Sequence, residues 1–280
     1  MSGATVAQAL VDARARGVDR LDAQLLLARA MARSRSWLLA HDDAPLSAGQ
    51  AAAYRADLAR RAAGEPLAYI VGEKEFHGLA LQVNAHVLVP RPDTEVLVDW
   101  ALDLLRGPLA NVPSPRVVDL GTGSGAIALA LKRACPEAQL SAVDASAAAL
   151  AVARANAQCL GLDVVLQQSH WWDALAGQRF DLAVGNPPYI ANGDVHLDAL
   201  RHEPWMALTS GADGLDAIRH IVERAHPHLA PDGWLLLEHG HDQADRVTAL
   251  LAQAGFTSVA SRRDLGGVMR CSGGCVRSLR

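Results

Sequence analysis

The apolar positions change period along the chain, and the changes divide it. Over the first 75 residues they recur at helical spacing, as in Val6, Leu10 and Val11, then Leu21, Leu25 and Leu26. The stretch PLSAGQAAAYRADLARRAAGEP carries its own punctuation. Ser47 and Gln50 make a capping box, Gly64 suits a left-handed stop, and Pro66 bars continuation. An all-helical domain over 1–75 is expected. Between 76 and 90 the period drops to two: Leu79, Leu81 and Val83 alternate, then Val87 and Val89. That pattern predicts a β-hairpin linker turning at Asn84-Ala85. The run PRPDTE (90–95) then leads stiffly into a helix over 95–105, ended by Gly107-Pro108, and its Pro and Asp suit ordinary helix capping.

From Pro115 strands alternate with helices, the mark of a parallel sheet covered on both faces. Strands are predicted at 116–120, 139–144, 164–168, 180–185 and 233–239. Helices are predicted at 126–134, 147–159, 213–225 and 242–254. A final pair, 257–262 and 268–271, would close one edge in antiparallel fashion. The fold class is therefore α/β, with a mostly parallel, doubly wound, seven-stranded sheet over 91–280. Neither internal repeats nor low-complexity segments interrupt it.

Composition narrows the classes of function. The 280 residues are 50% hydrophobic and carry a formal net charge of −4, enough chain for one large core and one smaller one. Residues 1–75 hold 10 Lys/Arg against 9 Asp/Glu, so the helical domain is nearly neutral and lacks the basic footprint of a nucleic-acid clamp. The only lysines are Lys74 and Lys132, an Arg and Ala bias that reflects base composition first. The opening MSGATVAQALVDARARG is not built as a signal peptide, and no run of 18 apolar residues occurs, so a cytoplasmic protein without a membrane partner is expected. Cys135, Cys159, Cys271 and Cys275 read as reduced, mostly packed thiols. No second pair completes Cys271 and Cys275, and His226, His228, His239 and His241 lack ligand spacing, so no metal is expected.

Candidate chemistry begins at VVDLGTGSGAIALAL (117–131), a glycine turn between a strand and a helix. Its glycines permit positive φ and let a ligand lie on bare backbone. Gly121-x-Gly123-x-x-Ala126 also fits a relaxed dinucleotide fingerprint. Asp119 tilts the choice, because a carboxylate there would oppose a pyrophosphate but suits a ligand bearing an ammonium and a sulfonium. S-adenosylmethionine is therefore the expected ligand over NAD. Gly125 makes the turn tighter than NAD requires, and Asp144, 23 residues after Gly121, can take ribose hydroxyls of either ligand. In QQSHWWDAL (167–175), Trp171 can stack on adenine, whereas Trp172 reads as core.

The strand FDLAVG is expected fourth in the sheet, beside the glycine-loop strand, and ends in Asn186, Pro187, Pro188 and Tyr189. Asn186 can accept one N–H of a planar NH2 group, and the Pro187 carbonyl the other. The two prolines hold that carbonyl in place, and Tyr189 can cover the planar face. Two acceptors orient the nitrogen and draw its lone pair from resonance, exposing it to a methyl sulfonium. No general base is required. An amide or an arylamine fits equally at this point.

The run D-x-G-x-G-x-G followed by NPPY resembles the class I, S-adenosylmethionine-dependent amino-group methyltransferases. Across nearly all 280 residues the chain resembles their peptide-chain release factor glutamine methyltransferases (the HemK/PrmC family). The resemblance rests on GEPLAYIVGEKEFHGLALQVNAHVLVPRPDTE (64–95), DLGTGSGAIALAL (119–131), NPPYI (186–190), EPWMALTSGADGL (203–215) and DLGGVMR (264–270). It implies N5-methylation of the glutamine in the Gly-Gly-Gln tip of class I release factors. It further implies that Gly121, Thr122, Gly123, Ser124, Gly125, Asp144, Trp171 and Asn186 bind the methyl donor. Asn186, Pro187, Pro188 and Tyr189 would hold the glutamine, with the helical domain on the release factor away from the tip. Two positions depart from the family pattern: His170 stands where Asp is common, and Gly185 where Ser or Cys is.

Glu238, at a strand end, reads as support rather than chemistry. Glu203-Pro204 reads equally as a lid element or a simple turn. The alternative substrate is adenine N6 in a nucleic acid, which offers the same two N–H donors. The near-neutral helical domain disfavours it, as Asp119 and NPPY disfavour an oxidoreductase.

Overall fold

The computed structural model describes residues 4–277 and divides into two compact units, one reaching to Glu73 and the other beginning at Lys74. The first unit is helical: α1 (Val6–Ala15), α2 (Arg20–Met31), α3 (Arg35–Ala40), α4 (Ala48–Ala62) and α5 (Leu67–Val71). The capping box of Ser47 and Gln50 forms at α4, and Thr5 and Gln8 form a second at α1. Gly64 has φ +92°, the left-handed stop expected after α4. The apolar stripe on α2 differs from expectation. Leu21 and Leu25 face solvent, and Ala23, Leu26, Leu27 and Met31 enter the core with Leu38, Tyr54 and Leu58. Arg29, on that helix, pairs with the buried Asp57 of α4 at 2.7 Å.

The hairpin lies earlier than the alternation suggested. It consists of β1 (Glu73–Phe76) and β2 (Leu79–Gln82), turning at His77-Gly78 rather than at Asn84-Ala85. His77 and Gly78 both have positive φ, 47° and 75°, the geometry of a tight two-residue connection, and Gly78 N–H donates to Glu75 Oε1 at 2.7 Å. Residues 83–91 form no strand. Val83, Val87 and Val89 are nevertheless buried, so their alternation records packing of an irregular segment.

The second unit follows the predicted order. After α6 (Glu95–Arg106) come β3 (Arg116–Leu120), α7 (Ala126–Ala134), β4 (Gln139–Asp144), α8 (Ala147–Leu160) and β5 (Val165–Gln168). Then follow β6 (Phe180–Gly185), α9 (Asp216–Arg224), β7 (Leu229–Glu238), α10 (Ala244–Gln253), β8 (Thr257–Arg263) and β9 (Met269–Cys275). The sheet has seven strands in the order β5-β4-β3-β6-β7-β9-β8, parallel except that β9 runs antiparallel to both neighbours. Alternation along each strand feeds two cores. Val117, Leu182 and Leu236 face α6 and α7, whereas Val118, Ala183 and Leu235 face α9 and α10. Trp172 is core, its indole N–H donating to Ile221 O at 3.0 Å and its ring stacked on His228. Cys271 and Cys275 both lie on β9, Cys271 fully buried, whereas Cys159 is exposed, contrary to a packed thiol.

β3 has β4 on one side and β6 on the other. Chain direction across the sheet reverses there, and the carboxyl ends of β3 and β6 open a crevice, the place where such sheets bind ligands.

Candidate active site

The crevice holds a cavity of about 660 Å³. Gly121, Thr122, Gly123, Ser124, Asp144, Trp171, Asn186 and Pro188 line it, which brings together the glycine loop, the end of β4, the aromatic after β5 and the end of β6. Gly121 and Thr122 N–H groups both donate to Val143 O at 2.9 Å, tying the loop to β4. Gly121 has φ +76°, and a Cβ there would stand 3.0 Å from the Trp171 ring, so that ring lies against bare backbone. Asp144 accepts from Gly123 N–H at 2.9 Å on Oδ2 and from Ser146 N–H at 2.8 Å on Oδ1. Each oxygen keeps a further lone pair for a hydroxyl. Burial raises the Asp144 pKa against the pull of these two N–H groups.

Four expected site residues stand behind the wall instead of on it. Asp119 is fully buried beneath the loop, with Oδ2 accepting from Thr122 Oγ1 at 2.6 Å and Oδ1 unpartnered. Burial lifts its pKa to about 7. The Thr122 turn folds over this carboxylate, so it shapes the loop from below rather than facing the crevice. Gly125 starts α7 with φ +85°, and a Cβ there would crowd Leu129 at 3.0 Å and Ala153 at 3.4 Å, so its role is packing of the turn on the helices. Pro187 is buried, and its carbonyl accepts no hydrogen bond among the described residues. Tyr189 turns its hydroxyl away to Glu238 Oε1, 3.4 Å off.

Asn186 is held at one end only. Its Nδ2 donates to Thr94 Oγ1 at 3.2 Å, and its buried Oδ1 has no partner. A buried amide oxygen without a donor is uncommon, because its desolvation goes unrepaid. Asn186 also lines the cavity.

Several wall residues escaped sequence reading: His86, Leu88, Pro90, Arg91 and Thr94 from the segment after β2, and Trp205, Met206 and Ala207 from the segment after β6, beside Pro204, which the sequence had offered as a lid element or a turn. Glu203 joins the two: only 3% of its side chain is exposed, Oε2 accepts from Val89 N–H at 3.0 Å, and Oε1 pairs with Arg91. The Thr94 hydroxyl makes no cap at α6, so PRPDTE is not simply capping chemistry. Its signal was a run of polar residues more elaborate than a cap requires. His170 lines the cavity edge-on to His220, ring centroids 5.3 Å apart. Among the described residues no three His, Cys, Asp or Glu side chains cluster as metal ligands, and no helix is long and apolar enough to cross a membrane.

With this geometry in hand, comparison with known proteins gives a consistent result. Residues 5–72 match the family model described as the PrmC N-terminal domain, and residues 95–203 match the methyltransferase small domain. A release factor glutamine methyltransferase of Bordetella pertussis is 51% identical over 261 residues, covering 92% of this chain and 95% of that protein. One from Burkholderia pseudomallei is 49% identical over 282 residues, covering 98% and 96%. The solved 16S rRNA N2 G1207 methyltransferase of T. thermophilus, in complex with AdoMet and guanosine, shares the fold at TM-score 0.53 and 22% identity, over 73% of this chain and 50% of that one.

Proposed function

This chain belongs to the release factor glutamine methyltransferase family, and we propose on that basis that it methylates N5 of the glutamine at the Gly-Gly-Gln tip of a class I release factor in the cytoplasm. S-adenosylmethionine is the methyl donor. The wall fits that donor: the Trp171 ring packs on the bare backbone of Gly121 at the cavity edge, where an adenine can stack on it, and Asp144 keeps lone pairs for ribose hydroxyls. Gly121 to Gly125 carry the loop that receives it, and Asp119 holds the loop through Thr122.

The observation that carries the reading is the unpartnered Asn186 Oδ1 at the carboxyl end of β6. Asn186 accepts one N–H of the glutamine amide, and the Pro187 carbonyl, unpartnered but set back from the cavity wall, comes within reach of the other as the amide seats against it, so the nitrogen is fixed with its lone pair forward. Pro188 restricts the loop, and Tyr189, anchored on Glu238, braces it. The donor supplies an electrophilic methyl group on a sulfonium. As the N–C bond forms, the C–S pair stays on sulfur, and the nitrogen then sheds a proton to water. Positioning dominates the rate, because the two acceptors replace water that would otherwise solvate the amide. The helical unit engages the release factor away from the tip, and its exposed Val11, Leu21, Leu25 and Leu39 are available for contact.

The test offers the purified chain and methyl-labelled S-adenosylmethionine to a full-length release factor, its Gln→Ala tip variant, and duplex DNA. Label is expected only in the first. Label in DNA, or equal label in the Gln→Ala factor, would overturn the reading.

A further inference from the structure

The loop that carries the amide acceptor has few hydrogen-bonding handles of its own. Gly185, the last residue of β6, pairs with Leu120 and Leu237, but Pro187 and Pro188 have no N–H to give. Among the described residues, the first main-chain group held beyond the prolines is the Tyr189 carbonyl, and its donor is a side chain. Gln243 Nε2 donates to Tyr189 O at 3.0 Å and reaches Asp213 O at 3.4 Å, while Gln243 Oε1 accepts from Gly240 N–H at 2.8 Å. Gln243 stands immediately before α10, is 6% exposed, and is not part of the cavity wall. One buried amide thus ties the NPPY loop to the turn after β7 and to the segment leading into α9. Only an amide offers N–H groups at one end and an acceptor at the other in this way.

The space around this bond is full. Gly214 has φ +77°, and a Cβ there would overlap Tyr189 O and stand 2.8 Å from Gln243 Nε2. The carbonyl meets bare backbone on one side and a fixed donor on the other, which leaves it one place to sit. Tyr189 is three residues from Asn186, and the two prolines between them have fixed φ. A shift at the Tyr189 carbonyl is therefore passed on to the Pro187 carbonyl and the Asn186 amide instead of being absorbed. The glycine loop stands apart from this, its bonds running from Gly121, Thr122 and Gly123 to the end of β4. We propose that Gln243, acting through the Tyr189 carbonyl, is a positioning residue that sets the NPPY loop for methyl transfer. The inference rests on the proposed function and adds to it a residue outside the cavity wall.

The experiment compares wild type with Gln243→Glu, Gly214→Ala and Leu251→Val. It reads donor Kd, KM and kcat on a release factor, at a temperature where circular dichroism shows each variant folded. Gln243→Glu keeps an oxygen for Gly240 N–H but sets a second, protonless oxygen against the Tyr189 and Asp213 carbonyls. Gly214→Ala presses on the same bond from the other side with Gln243 intact. Leu251→Val trims a fully buried side chain two turns further along α10 and controls for lost stability. In the first two variants kcat should fall about tenfold to a hundredfold, with KM within about threefold and donor Kd within about twofold of wild type. Leu251→Val should keep kcat within about twofold. An unchanged kcat in Gln243→Glu and Gly214→Ala would overturn the inference. So would an equal fall in Leu251→Val, or a loss carried by KM or donor Kd alone. If one of the first two variants does not fold, the other decides. Should wild type fail to label the glutamine tip, the proposed function itself fails, a result distinct from these.

Discussion

Replacing Glu203 by alanine tests whether the two irregular segments of the wall are one mechanical piece. The carboxylate satisfies Val89 N–H and Arg91 together and is 3% exposed. Alanine leaves Val89 N–H without an acceptor in a buried setting, which costs about 1–3 kcal/mol. Arg91 is 37% exposed and can rehydrate, so losing its pair adds roughly 0–1 kcal/mol. A total of about 1–4 kcal/mol follows. Glu203→Gln keeps an acceptor for Val89 and gives up only the charge, so it should lose less than half as much. Urea unfolding at constant m reads the difference, with Trp205 two residues away as a local fluorophore. KM for the release factor should rise in Glu203→Ala, because Pro90, Arg91, Trp205 and Met206 all line the cavity. Donor Kd should move little, since the glycine loop and Asp144 make their bonds elsewhere. A loss under about 0.5 kcal/mol, or equal losses for the two variants, would refute the reasoning.

Three further outcomes are expected. Gly121→Ala should lose roughly 1–3 kcal/mol from its left-handed φ and, through the Cβ at 3.0 Å from Trp171, more than Gly123→Ala, where φ is +55° and no atom lies within 4 Å; thermal unfolding of the pair decides it, and the reverse order would remove Trp171 from the loop. Asp119 and Glu238 both have pKa raised to about 7 by burial, above their unfolded values, so the folded chain holds protons that the unfolded chain has lost between about pH 4 and 7. Stability should therefore fall as pH rises through that window, and Asp119→Asn should flatten part of the fall; a slope unchanged in that variant would count against a buried, protonatable Asp119. Asn186→Ala should abolish methylation while leaving donor Kd within a few-fold, as isothermal calorimetry would show, and an unfolded variant would make Asn186 structural.

Strands β3, β4 and β6 and helix α7 were legible residue for residue, because short apolar runs bounded by Gly, Pro and Asp leave little freedom of assignment. The strand order placing β6 beside β3 followed from the handedness and switch-point rules of such sheets. The hairpin was misplaced because Val83, Val87 and Val89 pack like a strand while following an irregular path. The crevice's glycines, Asp144, Trp171 and Asn186 were recognisable by local spacing. Glu238 was read as support and Glu203 as a lid element or turn, but their partners, like that of Thr94, were not legible, because these bonds reach residues 49, 114 and 92 positions away and no local pattern encodes them. Asp119 was expected in the crevice because spacing along a strand says nothing of the turn that later folds over it.

The position of β6 between β3 and β7 also has a bearing on biosynthesis. The strand that carries Asn186 needs one neighbour made about 65 residues before it and another made about 50 after it, and its bracing carboxylate, Glu238, is the last residue of that later strand. A nascent chain that has emerged only as far as NPPY owns every group of the donor loop and the amide acceptor, yet lacks the sheet edge that would hold them in register. The sheet around the amide acceptor is complete only once β7 pairs with β6 and the antiparallel strand β9 pairs with β7, so the last-made strands finish a site whose chemical groups are made first.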